Sequence, residues 1–394
     1  MERSRPDYDA TGIAIGDWLL LPSLIATANY DNNVFRSLLP GRAPSDWFLE
    51  TTPIVRVQRK TSNAVIGFSG NLDTLNYARF HQLNLTDWTA GADASVATSD
   101  NVLRASASGY YGAYHESFES AEVTPKLQQR NYTRYYRGHL DSAIAYEPGL
   151  WRFGLGGSFD SFDWQPTSLL HRSGDIRTAS NRIRDESTGE EWIKAGYQIT
   201  GELQLFGRAI FNSRDFHHPA SLELDRSSWG YRLQAGAVVD VARTVKGEMF
   251  VGYLQQIFPD SAVPPLPDFK TLDYGAALNW YPGPELTVHV SAARSLSDVI
   301  LPGVTTSDDQ SVRLGIDCEL ARDVVLQSFG AYTYSRFAGG DRVDQYPSAG
   351  VTLRYFLNRD ASLQFSYLYT SRGSTVDSAD FRDSVISAGF LLHA

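Results

Sequence analysis

The stretch SVRLGIDCELARDVVLQSF, Ser311 to Phe329, alternates between two kinds of side chain over its first half. The apolar positions are Val312, Leu314, Ile316, Cys318 and Leu320, and the small or charged positions between them are Ser311, Arg313, Gly315, Asp317 and Glu319. Period-two alternation indicates a β strand with one apolar and one polar face. A short ARD break at 321–323 follows, and then a second strand-like run begins.

The same alternation recurs along nearly the whole chain. Examples are WGYRLQAGAVVD at 229–240, TLDYGAALNWY at 271–281, SAGVTLRYFL at 348–357 and SLQFSYLYTSR at 362–372. Very short connections, such as EPG at 147–149 and NRD at 358–360, alternate with mostly longer ones, such as 117–128, 165–185 and 296–308. This pattern predicts an all-β fold: a transmembrane up-and-down antiparallel β-barrel of about 18 strands, with short periplasmic turns and longer extracellular loops.

A soluble β-sandwich is the alternative fold, because its strands alternate as well. The predicted strands are about 10–15 residues long, which suits a tilted bilayer crossing better than sandwich strands of about 5–6 residues. Aromatic residues also gather beside the short turns, as an interfacial girdle requires. The girdle candidates are Trp18, Tyr146, Trp151, Trp280, Tyr281 and Tyr355. Both features favour the membrane barrel.

Composition narrows the classes of protein. The 394 residues carry a net charge of −10 with no basic tract, which argues against a nucleic-acid partner. The single cysteine, Cys318, excludes an intramolecular disulfide framework and sits on an apolar strand face, where a packed thiol is expected. No apolar run approaches the roughly 20 residues of a membrane helix. Residues 1–12 lack a signal-peptide core, so a barrel would require a leader that has been removed.

The N-terminal stretch RSRPDYDATGIAIGDWLLLPSLIATANYDNNVF, and above all its YDNNVF run at 30–35, resembles the start of the β-barrel porin family 2. The resemblance extends through hairpins with NRD and ARD turns over almost the full length. It implies a bacterial outer-membrane protein that helps an exopolysaccharide cross that membrane. The end of the chain departs from the aromatic terminus usual in barrels, and Phe390 is the nearest ring to Ala394.

No sequence motif indicates enzyme chemistry. The neighbouring His217 and His218 cannot both point the same way on an extended chain, and no HxxxH spacing supports a metal site. GLGGSF at 154–159 has no following helix or lysine, so it is not a phosphate loop. We expect no catalytic residues, cofactor or metal.

The polar strand faces supply the candidate functional residues, since a barrel of 16–18 strands encloses an aqueous channel. By phase, most aromatic rings fall on the lipid side. The predicted pore-lining residues are Arg152, Lys194, Arg208, Arg232, Lys246, Asp273, His289, Arg313, Asp317, Glu319, Arg354 and Arg372. Each could instead only pair with a neighbour and stiffen the wall.

The sequence does not decide where the N-terminal segment and the longest loop lie relative to the lumen. Residues 1–16 form either a periplasmic tail or a segment folded into the lumen, and residues 17–394 form the barrel. The loop at 165–185 is the longest and could be a constriction or an outer cap. The sequence predicts an exopolysaccharide export conduit in contact with outer-membrane lipid and lipopolysaccharide, working with a periplasmic export protein. A diffusion porin for sugars or ions is the alternative, and an outer-membrane enzyme is a less favoured one.

Overall fold

The computed structural model describes residues 7–36, 43–122, 131–170, 176–218, 226–241, 244–258, 266–299, 301 and 304–394. Within these residues, 18 long strands form one sheet. They are β1 Trp18–Asp31, β2 Asp46–Lys60, β3 Ala64–Tyr77, β4 Leu85–Ala97, β5 Leu103–His115, β6 Arg134–Tyr146, β7 Trp151–Trp164, β8 Glu186–Thr200, β9 Leu203–Phe216, β10 Ser228–Val241, β11 Val245–Ile257, β12 Phe269–Gly283, β13 Leu286–Ser297, β14 Thr306–Ala321, β15 Val324–Ala338, β16 Val343–Phe356, β17 Ala361–Ser374 and β18 Phe381–His393.

Each strand pairs antiparallel with the next, and β1 pairs with β18 to close the sheet. The closing register runs from Ser23 opposite His393 to Asp31 opposite Val385. Closure leaves no free sheet edge, so the ladder satisfies the backbone N–H and C=O groups within the membrane. The predicted fold class, an up-and-down antiparallel barrel of about 18 strands, is confirmed. No helix among the described residues is long and apolar enough to span a membrane.

The outer face of the barrel is apolar. On β14, Val312 and Leu314 are each 49% exposed, and the opposite parity carries Arg313 and Asp317. Four of the aromatic residues predicted to form a girdle beside the short turns are 40–50% exposed: Tyr146, Trp151, Trp280 and Tyr355. A continuous exposed band of this kind is unstable in water and stable against acyl chains.

Several rings on the inner face lie flat over a glycine of the neighbouring strand. Phe206 is directly opposite Gly236, and Phe329 is directly opposite Gly350. A Cβ added at either glycine would lie 2.5 Å from a ring carbon. These rings therefore fill the space above glycines and pack the wall.

Short strands and turns lie at the two ends of the barrel. Ile13–Ile15 pairs with the start of β1, and Thr167–Leu170 pairs with Ile176–Ala179 in a separate hairpin. Three short 3₁₀ turns span His81–Leu83, Arg182–Arg184 and Asp377–Ala379. At the long-loop end, one buried apolar cluster contains Phe35, Leu83 and Phe118, and a second contains Val299, Val304 and Phe337. By the usual orientation of such barrels, the long-loop end faces the exterior.

Candidate functional site

Residues 116–122, which we call the mouth loop, follow β5 and turn into the outer mouth of the barrel. Their first anchor is Arg184, just before β8, which pairs with Glu116 at 2.7 Å and Glu122 at 2.6 Å. The Arg184 guanidinium also lies 3.4 Å from the centroid of the Trp164 ring. Burial alone would lower the pKa of Arg184, but the two carboxylates raise it above its usual value. Arg184 therefore stays charged and holds both ends of the mouth loop.

The second anchor lies on the β1–β2 connection. Arg36 Nε contacts Glu119 Oε1 at 3.1 Å, and its other nitrogens contact Asp31 at 2.8 Å and Asp383 at 3.1 Å. Burial disfavours the charge on Arg36, but these three carboxylates raise its pKa above the ordinary value. The Phe118 ring, 2% exposed, packs 5.4 Å from the Phe35 ring. Charge and apolar packing thus fix the same segment.

The third set of contacts lies on the strands next to the second anchor, which pairs with Asp383 on β18. Arg372 on β17 donates to the Glu119 carbonyl at 3.1 Å, and Arg342, just before β16, donates to the Ala121 carbonyl at 3.2 Å. Ala121 also packs against the cluster that contains Phe337 on β15. Because the mouth loop starts between β5 and β6, contacts to β15–β17 require it to cross the ring of strands. The mouth loop therefore obstructs the outer opening.

From its sequence, the loop at 165–185 could be a constriction or an outer cap, whereas in the structure residues 116–122 cross the outer mouth. Residues 171–175 lie outside the described residues. The described part of that loop forms the hairpin at 167–179 and then supplies Arg184 as an anchor. The acidic residues Glu116, Glu119 and Glu122 were not singled out, although three carboxylates within seven residues of a long loop were the available signal.

Most predicted pore-lining residues at mid-height are paired with side chains two or three strands away along the wall. Glu248 forms ion pairs with Lys194 at 2.6 Å and with Arg208 at 3.1 Å. Arg208 also donates a hydrogen bond to Gln234. Arg232 pairs with Glu190. All these side chains are on the inner face, with side-chain exposures of 21–36% for the charged groups. They form a hydrated wall whose local charges are largely balanced.

The remaining paired residues lie lower in the barrel. His289 contacts Asp317 at 3.0 Å and Asn279 at 2.6 Å. At the short-turn rim, Lys246 pairs with Asp240 at 3.0 Å, and Arg152 contacts Glu147 at 3.4 Å and the Gly149 carbonyl at 2.7 Å. Among the described residues, no group of three His, Cys, Asp or Glu side chains could hold a metal ion.

Two predicted pore-lining residues are on the inner face of their strands but are covered. Asp273, 1% exposed, accepts a 2.6 Å hydrogen bond from Gln234, which lies over it. Arg372, 2% exposed, is covered by the mouth loop and also donates to the Ala379 carbonyl. Alternation gave the correct face for both, but neither meets water in this arrangement. They support the wall and the mouth loop instead of lining the channel.

Arg313 is an exposed cation of the predicted set. Its guanidinium lies 3.7 Å from the centroid of the Phe329 ring, and no carboxylate among the described residues lies within ion-pair distance. A cation held over a ring and open to water attracts anions into the lumen.

We expect Arg313→Glu to raise the ratio of cation to anion permeability by roughly twofold. The reversal potential in an asymmetric KCl gradient measures this change. Lys60→Glu, an equal charge change beside an exposed short turn, serves as the control and should leave the potential unchanged. Equal effects of the two variants would show that Arg313 does not contribute to ion selectivity.

The N-terminal segment lies at the short-turn mouth. Gly12 donates to the Ala394 carbonyl at 3.1 Å, and the Tyr8 ring lies 5.1 Å from the inward-facing Phe356 ring. A cavity of about 240 Å³ separates the segment from the wall. Its charged lining residues are Asp9, Glu285, Asp317, Glu319 and Arg354. Residues 8–10 thus narrow this mouth, and residues 1–6 lie outside the described part.

The sequence profile of the family described as "Putative beta-barrel porin 2" matches residues 5–393. The chain belongs to this family. The match covers both barrel mouths and all 18 strands, so the family and the fold together place the porin in the bacterial outer membrane. The porin has no match among curated proteins.

Solved structures share the barrel fold with this porin at very low identity. The copper transporter OprC matches with a TM-score of 0.52 and 10% identity, over 100% of this chain and 82% of that chain. The outer membrane protein opdK from Pseudomonas aeruginosa has a TM-score of 0.47 and 11% identity, over 95% of this chain and 99% of that chain. The FrpB iron transporter from Neisseria meningitidis has a TM-score of 0.47 and 8% identity. The match covers 89% of this chain and 62% of the FrpB chain. These similarities concern the fold alone.

Proposed function

We propose that this porin is an outer-membrane conduit that assists the export of an exopolysaccharide. The observation that carries the proposal is the mouth loop, which is anchored to Arg184 beside β8 on one side and to Arg36, Arg342 and Arg372 around β16–β1 on the other. A loop fixed across the mouth from both sides restricts the continuous diffusion of small solutes. A conduit for a polymer must stay shut between export events, because an opening wide enough for a sugar chain would also admit harmful solutes.

The inner wall supports the same proposal. Its charges are mostly paired, as in the cluster of Lys194, Arg208 and Glu248, so a passing hydroxyl-rich chain meets many hydrogen-bonding groups and few strong fixed charges. A barrel of this kind supplies no energy of its own. A periplasmic export protein would therefore deliver the polymer at the short-turn mouth, where Tyr8 and Asp9 lie. Lipid and lipopolysaccharide would cover the exposed apolar band.

A diffusion porin for sugars or ions is the second candidate. The exposed Arg313, held over Phe329, favours it, because an unpaired lumen cation is a common source of ion selectivity. Steady conductance of the wild-type protein, without any opening signal, would support this candidate.

Removal of the porin from a polysaccharide-producing cell tests the proposed function. We expect surface polysaccharide to fall at least tenfold and polymer to accumulate in the periplasm, with both effects reversed by the wild-type gene. Carbohydrate analysis of the two fractions gives the measurement. Unchanged polymer in both fractions, with impaired uptake of a small sugar, would replace the export proposal with the diffusion porin.

A further inference from the structure

The strands β5, β6 and β7 carry a patch of rings on their inner faces. The register places Tyr114, Tyr135 and Trp164 directly opposite one another in an upper row. A lower row contains Tyr110, His139 and Asp160, and the row between them contains Gly112, Arg137 and Phe162. We call these nine positions the ring patch. Alternation in the sequence assigns most rings to the lipid side and does not indicate this patch.

Rings of the patch contact one another side by side. The Tyr114 and Tyr135 rings are stacked with centroids 5.6 Å apart, and the Tyr135 and Trp164 rings are 4.5 Å apart. In the lower row, the Tyr110 ring stacks on His139 at 4.9 Å. All are partly exposed on the lumen side. They thus form a continuous apolar surface inside a polar channel.

This arrangement differs from that of four other inward-facing rings. Trp192, Phe206, Phe250 and Phe329 lie over glycines of neighbouring strands, and an added Cβ there would come within 3 Å of a ring carbon. Those rings therefore fill gaps in the wall. The rings of the patch pack edge by edge in rows, which adds apolar lumen surface beyond what the glycines require.

Planar polar groups lie within the same patch. Arg137 lies 5.5 Å from the Tyr110 ring centroid and 5.3 Å from that of Phe162, and it donates to Asp160 at 2.8 Å. His139 Nδ1 also contacts Asp160, at 2.9 Å. Asp160, with Asp141 in the next row, at least balances the charge of Arg137, so the patch has no excess of positive charge.

We propose that the ring patch binds an uncharged saccharide segment of the exported polymer. A pyranose has apolar C–H faces that pack on aromatic faces, and hydroxyl edges that exchange hydrogen bonds with planar groups such as the Arg137–Asp160 pair. The balanced charge favours neutral sugars over uronic acids. The inference rests on the proposed function for the origin of its ligand, whereas binding itself is measurable without export.

The upper row of the patch ends at the mouth loop. Trp164 lies beneath Arg184, whose other contacts are Glu116 and Glu122. A sugar that moves outward along the rows reaches this anchor next. The patch therefore leads the polymer to the segment that closes the outer mouth.

Titration calorimetry of the detergent-purified porin tests the proposal, with maltohexaose and cellohexaose as neutral probes and hexagalacturonate as the acidic probe. We expect at least one neutral probe to bind more tightly than the acidic one. Tyr110→Ala combined with Tyr135→Ala should weaken its binding about tenfold. Tyr110→Phe combined with Tyr135→Phe should retain the affinity within twofold, because the ring faces remain.

The lipid-facing neighbours provide a matched control. Tyr111→Ala combined with Tyr136→Ala removes two rings from the same strands on the opposite face and should leave sugar affinity unchanged. Equal loss in the lumen and lipid-face variants, tighter binding of hexagalacturonate, or no binding of either neutral probe would overturn the proposal. If sugar binding is present but export is normal after removal of the porin, only the proposed export function fails.

Discussion

Single channels of a variant with Glu116→Gln, Glu119→Gln and Glu122→Gln should be open at least tenfold more of the time than wild-type channels. In the wild type, the Arg184 side chain is 14% exposed and its charge is compensated by Glu116 and Glu122, whose side chains are 7% and 12% exposed. Removing one partner of a buried pair costs about 3–5 kcal/mol. Each ~1.4 kcal/mol shifts an equilibrium tenfold, so loss of the Arg184 pairs is large enough to shift the mouth loop toward release by more than tenfold.

Planar-bilayer recording measures this change as open probability. The control variant carries Glu147→Gln, Glu202→Gln and Asp323→Asn, which removes the same number of charges at the short-turn end. It should behave as wild type, which excludes a general effect of net charge. If the mouth-loop and control variants have the same open probability, the mouth loop does not close the channel.

The sequence determined the fold because its signal is local. Alternation such as Val312, Arg313, Leu314 assigns each residue to a face, and each short turn fixes the pairing of the two strands that it joins. Repeated along the chain, these two rules give the strand number and the antiparallel order. Closure follows, because an even number of strands brings both ends to the same rim.

The same alternation does not predict whether an inward-facing residue is exposed to the channel or covered by another segment. Arg372 is on the predicted face, but the mouth loop that buries it lies 253 residues earlier in the chain. Alternation reports which side of the wall a residue is on and contains no information on what crosses the lumen. For the same reason, the sequence left the loop at 165–185 open as a constriction or an outer cap and did not indicate that residues 116–122 cross the mouth.

The ring patch was missed because its strands are ambiguous. In LRASASGYYGAYH at 103–115, both faces contain small residues, and Tyr110 and Tyr111 are adjacent, so either ring could face the lumen. The pair Tyr135 and Tyr136 is ambiguous in the same way. Only the register with neighbouring strands shows that Tyr110 and Tyr135 point inward.

Locking the mouth loop should stop polymer export. The Thr370 hydroxyl lies 3.4 Å from Glu119 Oε1, so cysteines at these two positions are within reach of a short bifunctional thiol reagent. Cys318→Ser removes the native thiol from the lipid-facing side of β14. The cross-link would tie the mouth loop to β17 and prevent its displacement, and cleavage with dithiothreitol would free it. Thr370→Cys alone is the control for reagent effects.

The rate of polysaccharide appearance at the cell surface, before and after cross-linking of Glu119→Cys and Thr370→Cys, shows whether the polymer leaves through a mouth loop that must move. We predict that export falls at least tenfold when the cross-link forms, recovers on reduction, and is unaffected in the single-cysteine control. Export that continues at the wild-type rate with the cross-link in place would contradict it, as would a pair of cysteines that the reagent cannot join.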